Sequence, residues 1–170
     1  YSASLLNVSG MSFGAISGAA VQALCLGAKK GDFAVVTGEG GISRHHLAHG
    51  ADIVWQIGTG YFGCRGADGS FDPERFRDRA AHDSVRMIEV KLSQGAKPGH
   101  GGILPGIKVS PVISEARGVP VGRDCISPPW HQVFDTPKAL LDFLSTLRDL
   151  SGGKPVGIKL CVGHPWEFLS

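Results

Sequence analysis

The chain has 170 residues, 42% of them hydrophobic and 19% charged, with a formal net charge of +2. That balance describes a folding domain rather than a disordered one, and interspersed acids and bases leave no basic patch of the kind that binds nucleic acid by counterion release. No apolar run approaches the roughly 18 residues of a membrane-crossing helix. Four widely spaced cysteines, Cys25, Cys64, Cys125 and Cys161, form no C-x-x-C pair, so neither a zinc ribbon nor a redox dithiol is signalled and a cytoplasmic setting is expected.

In chain order, residues 5–9 read as a first strand, followed by the loop Gly10-Met11-Ser12-Phe13-Gly14. Ser17 is placed to cap a helix reaching about Lys30, with Val21, Leu24, Cys25 and Ala28 at helical spacing and Gly31 as the stop. Residues 33–37 and 53–57 read as buried strands, each closed by a glycine loop. Asp72 and Pro73 open a helix to about Asp83. Residues 87–92 are expected as a strand, 94–106 as a long loop, 107–116 as a helix and 119–126 as irregular or extended. Thr136 and Pro137 begin an amphipathic helix that stops at Ser151-Gly152-Gly153, and 156–162 is the last strand. Helices alternating with short apolar strands point to a parallel α/β architecture.

Side chains alternate across a strand. Ile88, Val90 and Leu92 share one face of their strand, with Glu89 and Lys91 on the other. Val156, Ile158 and Leu160 oppose Gly157 and Lys159, and Trp55 and Ile57 oppose Gln56. Each strand therefore has one apolar face and a polar group near its C-terminal end, just before a loop. A doubly wound sheet needs apolar residues on both faces. A (β/α)8 barrel covers only its outside with helices and keeps its chemistry at the C-terminal rim. The pattern favours the barrel, here an incomplete one of about the first five strands.

Two lysines on separate strands need an anion or a strong acceptor, because an unpaired buried ammonium costs several kcal/mol. A flavin offers both, and Gln56 has the amide chemistry to meet its pyrimidine edge. Alternatively, Glu89 and Lys91, two apart on one strand, neutralise each other. Residues 94–106 hold five glycines and two prolines, which suits a functional loop or a plain surface one. Within it Lys97 is a candidate carboxylate ligand, and Arg117 beyond it is a second. Thr37-Gly38-Glu39-Gly40-Gly41 sets a carboxylate at a strand end where backbone approaches a ligand. His45, His46 and His49 lack a metal-ligand partner set, so no metal site is expected there. His131 in the rigid 127–131 turn faces either the site or solvent.

These loops resemble a known family. Gly10-Met11-Ser12-Phe13-Gly14-Ala15-Ile16-Ser17, Thr37-Gly38-Glu39-Gly40-Gly41, the 94–106 loop, Ile126-Ser127-Pro128-Pro129 and Ile158-Lys159-Leu160 occur in the same order in the FMN-binding synthase domain of glutamate synthase, and the likeness spans nearly the whole chain. It is nearer to the stand-alone glutamate-synthase-like proteins than to the large multidomain enzyme. The resemblance implies that residues 1–170 are the N-terminal part of an FMN-binding barrel domain, a piece that alone holds FMN weakly or not at all. It implies a flavin-dependent oxidoreductase: reductive amination of 2-oxoglutarate to glutamate by hydride from reduced FMN. Met11, Ser12, Thr37, Gln56, Lys91 and Lys159 are then expected to contact FMN. Glu39 and Lys97 are expected as catalytic residues, and Lys97 and Arg117 as substrate ligands. An iron–sulfur cluster is expected only from cysteines beyond this segment, and the ammonia source and electron donor from another domain or protein. His100 and Ile103 depart from the family's K-P-G-E-G-G-Q loop, which opens another 2-oxo or amino acid as the substrate.

Overall fold

The computed structural model describes residues 1–92 and 101–169 as a mixed α/β structure built on a four-stranded parallel sheet. Strands β1 (Val35–Val36), β2 (Ile53–Ile57), β3 (Val85–Lys91) and β6 (Val156–Lys159) lie in that order. A two-stranded antiparallel ribbon, β4 (Ile103–Leu104) and β5 (Cys125–Ile126), stands apart from it. The helices are α1 (Gly18–Gly31), α2 (Arg44–Leu47), α3 (Pro73–Ala80), α4 (Pro111–Arg117), α5 (Pro137–Leu150) and α6 (Pro165–Leu169). No helix among the described residues is long and apolar enough to cross a membrane.

The helix starts follow from local chemistry. Ser17 and Thr136 accept from the backbone N–H three residues on, and Asp72 from those of Glu74 and Arg75. Prolines at the first helical position of α3, α4 and α5 lose no hydrogen bond there. Helix α1 runs one residue past its expected end, and its left-handed cap is Asp32 (φ 54°) rather than a glycine.

Several expected elements are shorter or divided. Residues 5–9 contribute a single parallel bridge, Val8 to Val35. Leu5 and Leu6 are exposed, and the Asn7 side chain takes the Ala34 N–H in place of a ladder bond. The expected 107–116 helix is split: a 3-10 turn covers Gly106–Lys108, and α4 begins only at Pro111, capped by Ser110. A proline cannot sit inside a continuous helix without breaking its hydrogen-bond ladder. Part of the long loop pairs with the irregular stretch as β4 and β5, and the last strand ends at Lys159.

The parallel register fixes which residues share a face. Gln56 pairs with Glu89 and Glu89 with Gly157, while Lys91 pairs with Lys159. On the opposite face Trp55, Ile57, Ile88 and Val90 pack with Phe76 of α3 and with Phe143 and Leu147 of α5. Val35 packs with Val21, Cys25 and Ala28 of α1. Helices α1, α3 and α5 therefore cover one side of the sheet, and the polar row occupies the other.

Candidate functional site

The polar row lies at the C-terminal ends of parallel strands, where the side chains of several elements converge. Lys91, at the end of β3, donates to Glu39 Oε2 at 3.2 Å from the loop after β1, and both side chains are largely buried. Gln56 at the end of β2 donates through Nε2 to Glu89 Oε1 on β3. The charge of Lys91 is thus met by Glu39, while Glu89 serves Gln56 rather than its strand neighbour. Lys159 is half-buried beside Lys91 on the same sheet face.

Glycines bring the loops this close. Gly38 adopts φ +69°, and a Cβ there would stand 2.5 Å from Ser12 N. A Cβ at Gly58 would meet Glu39 Cβ at 2.7 Å, and one at Gly10 would meet the Gln56 amide nitrogen at 3.2 Å. The 10–12 segment is therefore pressed backbone-first against β1 and β2, leaving Met11 exposed and Ser12 facing a cavity. Thr37 is fully buried; its hydroxyl donates to Gly38 O and accepts from Gln56 N, tying β1 to β2.

Arg117 comes from the last turn of α4 and is only 6% exposed. Its Nη2 donates to Phe13 O at 3.2 Å, its Nη1 to Cys125 Sγ at 3.6 Å, and the guanidinium lies 5.0 Å from the centre of the Phe62 ring. Nε has no partner, and no carboxylate pairs with this cation among the described residues. A buried cation without a counter-charge is costly, and an anionic ligand repairs that. Arg117 lines a cavity of about 180 Å³ together with Ser12, Glu39, Ile103, Cys125 and Ser127. Lys97 and His100 lie outside the described residues.

Sequence reasoning left His131 undecided and did not single out Tyr61. His131 Nε2 donates to Lys91 O at 2.8 Å, and Tyr61 Oη donates to His131 Nδ1 at 3.1 Å while accepting from Gln132 N. With Thr59 donating to Pro128 O, this loop is strapped over the ends of β2 and β3. Burial lowers the His131 pKa and pushes the Tyr61 hydroxyl up to about 12. The hint in sequence was only the rigid Pro128-Pro129 turn; nothing local names Tyr61 as its partner.

His45 and His46, after β1, are held in structural contacts. Ser43 N donates to His46 Nδ1 at 3.1 Å, closing a capping box at α2, and His45 Nδ1 bonds the Gln22 side chain. Burial foremost, with the neighbouring His45, lowers His46 to about 4. Among the described residues, no group of three or more His, Cys, Asp or Glu side chains is arranged to hold a metal.

A family model described as a conserved region in glutamate synthase matches residues 3–170. The chain is 44% identical over 169 residues to the glutamate synthase large subunit-like protein YerD of Bacillus subtilis (strain 168), covering 99% of this chain and 32% of that protein. It is 34% identical over 157 residues to an archaeal glutamate synthase (NADPH) of Archaeoglobus fulgidus, covering 92% of this chain and 28% of that one. A glutamate synthase large subunit-like protein of Rhizobium meliloti is 32% identical over 166 residues, with 95% and 34% covered. The chain spans about a third of the length of these curated relatives.

Proposed function

The chain belongs to the glutamate synthase family, and from that premise we propose that the whole protein is an FMN-dependent oxidoreductase that makes glutamate from 2-oxoglutarate and ammonia. The observation that carries this reading is the buried Arg117 cation, without a carboxylate partner among the described residues, on a cavity shared with Ser12 and Glu39 beside the Lys91–Gln56 row.

The residues present fit a flavin. A planar ring with an amide edge needs a flat approach, an amide partner and a cation near the oxygen that gains charge on reduction. Glycines at 10, 38 and 58 let the loop backbones pack closely at the strand ends, Gln56 supplies the amide, and Lys91 and Lys159 supply cations on one sheet face. In this proposal the Met11-Ser12 backbone and Thr37, held at the turn it braces, line the ring side. FMN, when bound, supplies a hydride.

The chain's own groups do the rest. Arg117, with Lys97, holds the carboxylates of the oxo acid and sets its 2-oxo carbon. Glu39 fixes Lys91 and orients the incoming ammonia. The 127–131 strap excludes water from above. The oxo acid takes up ammonia, loses water, and gains a hydride and a proton to become the amino acid. The names of the archaeal and archaeal-type relatives support NADPH as the ultimate reductant. Electron entry and ammonia supply, and any iron–sulfur cluster, are assigned to other parts of the protein or to a partner, in the cytoplasm. In the same proposal, the segment is the first part of a (β/α)8 barrel.

Ile103 lines the cavity and is largely exposed. It favours a second reading in which a different 2-oxo acid, with an apolar group toward Ile103, is the substrate. The test is the absorbance spectrum of the intact protein followed by turnover with an ammonia source and a panel of 2-oxo acids. Flavin bands and 2-oxoglutarate turnover are expected. A colourless protein sinks the flavin reading, and a coloured one active only on another oxo acid replaces the substrate.

A further inference from the structure

Gln56 is 1% exposed and stands directly opposite Glu89 in the pairing of β2 and β3. Its Nε2 donates to Glu89 Oε1. A glycine flanks this pair on each side. The register partner of Glu89 on β6 is Gly157, which has no side chain to crowd the carboxylate. On the other flank Gly10 abuts the amide, where a Cβ would stand 3.2 Å from Nε2 and 3.3 Å from Oε1.

A glutamine amide has a donor end and an acceptor end, related by a half-turn about its last bond. A carboxylate oxygen held opposite one end selects between them, because the reverse orientation sets oxygen against oxygen. Glu89 therefore turns the nitrogen end of Gln56 toward the sheet. The amide oxygen accepts no hydrogen bond among the described residues.

We propose that Glu89 is a positioning residue that locks the Gln56 amide with its oxygen toward the ligand, so that the site selects a group presenting an N–H donor, here the imide N–H of the flavin pyrimidine. This rests on the flavin reading above. Lys91 does not substitute for Glu89, since an ammonium only donates and is already held by Glu39.

The test uses the intact protein stripped of flavin and titrated by flavin fluorescence with FMN and with 3-deaza-FMN, which carries a C–H in place of the imide N–H at almost the same size. The unaltered protein is expected to prefer FMN by about tenfold or more, the loss of one buried hydrogen bond. Glu89→Gln can face Gln56 with either end of its own amide, so the preference is expected to shrink to under about threefold with FMN still bound. An unchanged preference in Glu89→Gln overturns the positioning role and leaves the flavin reading standing. Binding of neither compound by the unaltered protein removes both. If Glu89→Gln does not fold by circular dichroism, Glu89→Asp keeps the acceptor but withdraws it by one methylene, and the same shrinkage is expected. A full preference there overturns the proposal.

Discussion

Replacing Gly38 by alanine isolates the close approach that builds the site. Gly38 has φ +69°, and Gly50 has φ +62°. Both substitutions place alanine in the left-handed region at a cost of about 1–2 kcal/mol. They differ in what the new methyl meets. At Gly50 nothing lies within 4 Å. At Gly38 the methyl would stand 2.5 Å from Ser12 N, 2.7 Å from Ser12 Oγ and 2.8 Å from the Met11 carbonyl carbon. Two of these atoms are backbone, so no rotamer change relieves the contact. The 10–12 segment must retreat by roughly 1 Å to reach ordinary van der Waals distance, and overpacking of this kind costs about 1–3 kcal/mol more. Gly38→Ala is therefore expected to lose about 2–5 kcal/mol and Gly50→Ala about 1–2 kcal/mol. Urea unfolding of the intact protein, followed by tryptophan fluorescence, measures both. FMN affinity should fall at least about tenfold in Gly38→Ala and stay unchanged in Gly50→Ala, because only the former moves the ring-facing backbone. Equal losses in the two variants, in stability and affinity alike, would refute the close-approach argument.

Three further outcomes follow from the same geometry. His46 is held neutral with a folded pKa of about 4 against an ordinary 6.5, so the unfolded chain binds the extra proton; its contribution is complete above pH 6.5 and lost as pH falls toward 4, a total of about 3 kcal/mol. Hydrogen–deuterium exchange at histidine C2, read by mass spectrometry, gives that pKa directly, and a value near 6.5 refutes the buried cap. Tyr61→Phe removes the donor to His131 and the acceptor for Gln132 N, and should cost about 1–3 kcal/mol and loosen the strap; unfolding curves together with protease sensitivity of the 127–135 segment check it. Arg117→Leu keeps the packing on Phe62 but removes the cation; the KM for the oxo acid should rise about 100-fold or more with flavin absorbance retained. A KM within a few-fold of the unaltered protein would remove Arg117 from substrate binding.

Much of the scaffold was legible locally. Period-two alternation placed Gln56, Lys91 and Lys159 opposite the apolar faces of their strands, and the register then set all three on one side of the sheet. Caps at Ser17, Asp72 and Thr136 could be read from residue type alone. The expected 5–9 strand and the undivided 107–116 helix were not what formed, because a side-chain amide at Asn7 and a proline at 111 redirected the backbone bonds. Helix α2 went unseen because its capping box uses a histidine where a glutamate is usual.

The sequence by itself determined the alternation of strand and helix, the polar groups at strand ends and the motifs that mark the family, since all of these depend on residues near one another in the chain. Only the tertiary structure decided the pairings. Lys91 met Glu39 rather than Glu89, Gln56 met Glu89, and Arg117 came to rest against Phe13, Phe62 and Cys125. Partners as distant as Gln56 and Glu89, or Arg117 and Phe13, are chosen by strand register and by which glycines let backbones touch, and neither is written in any local window.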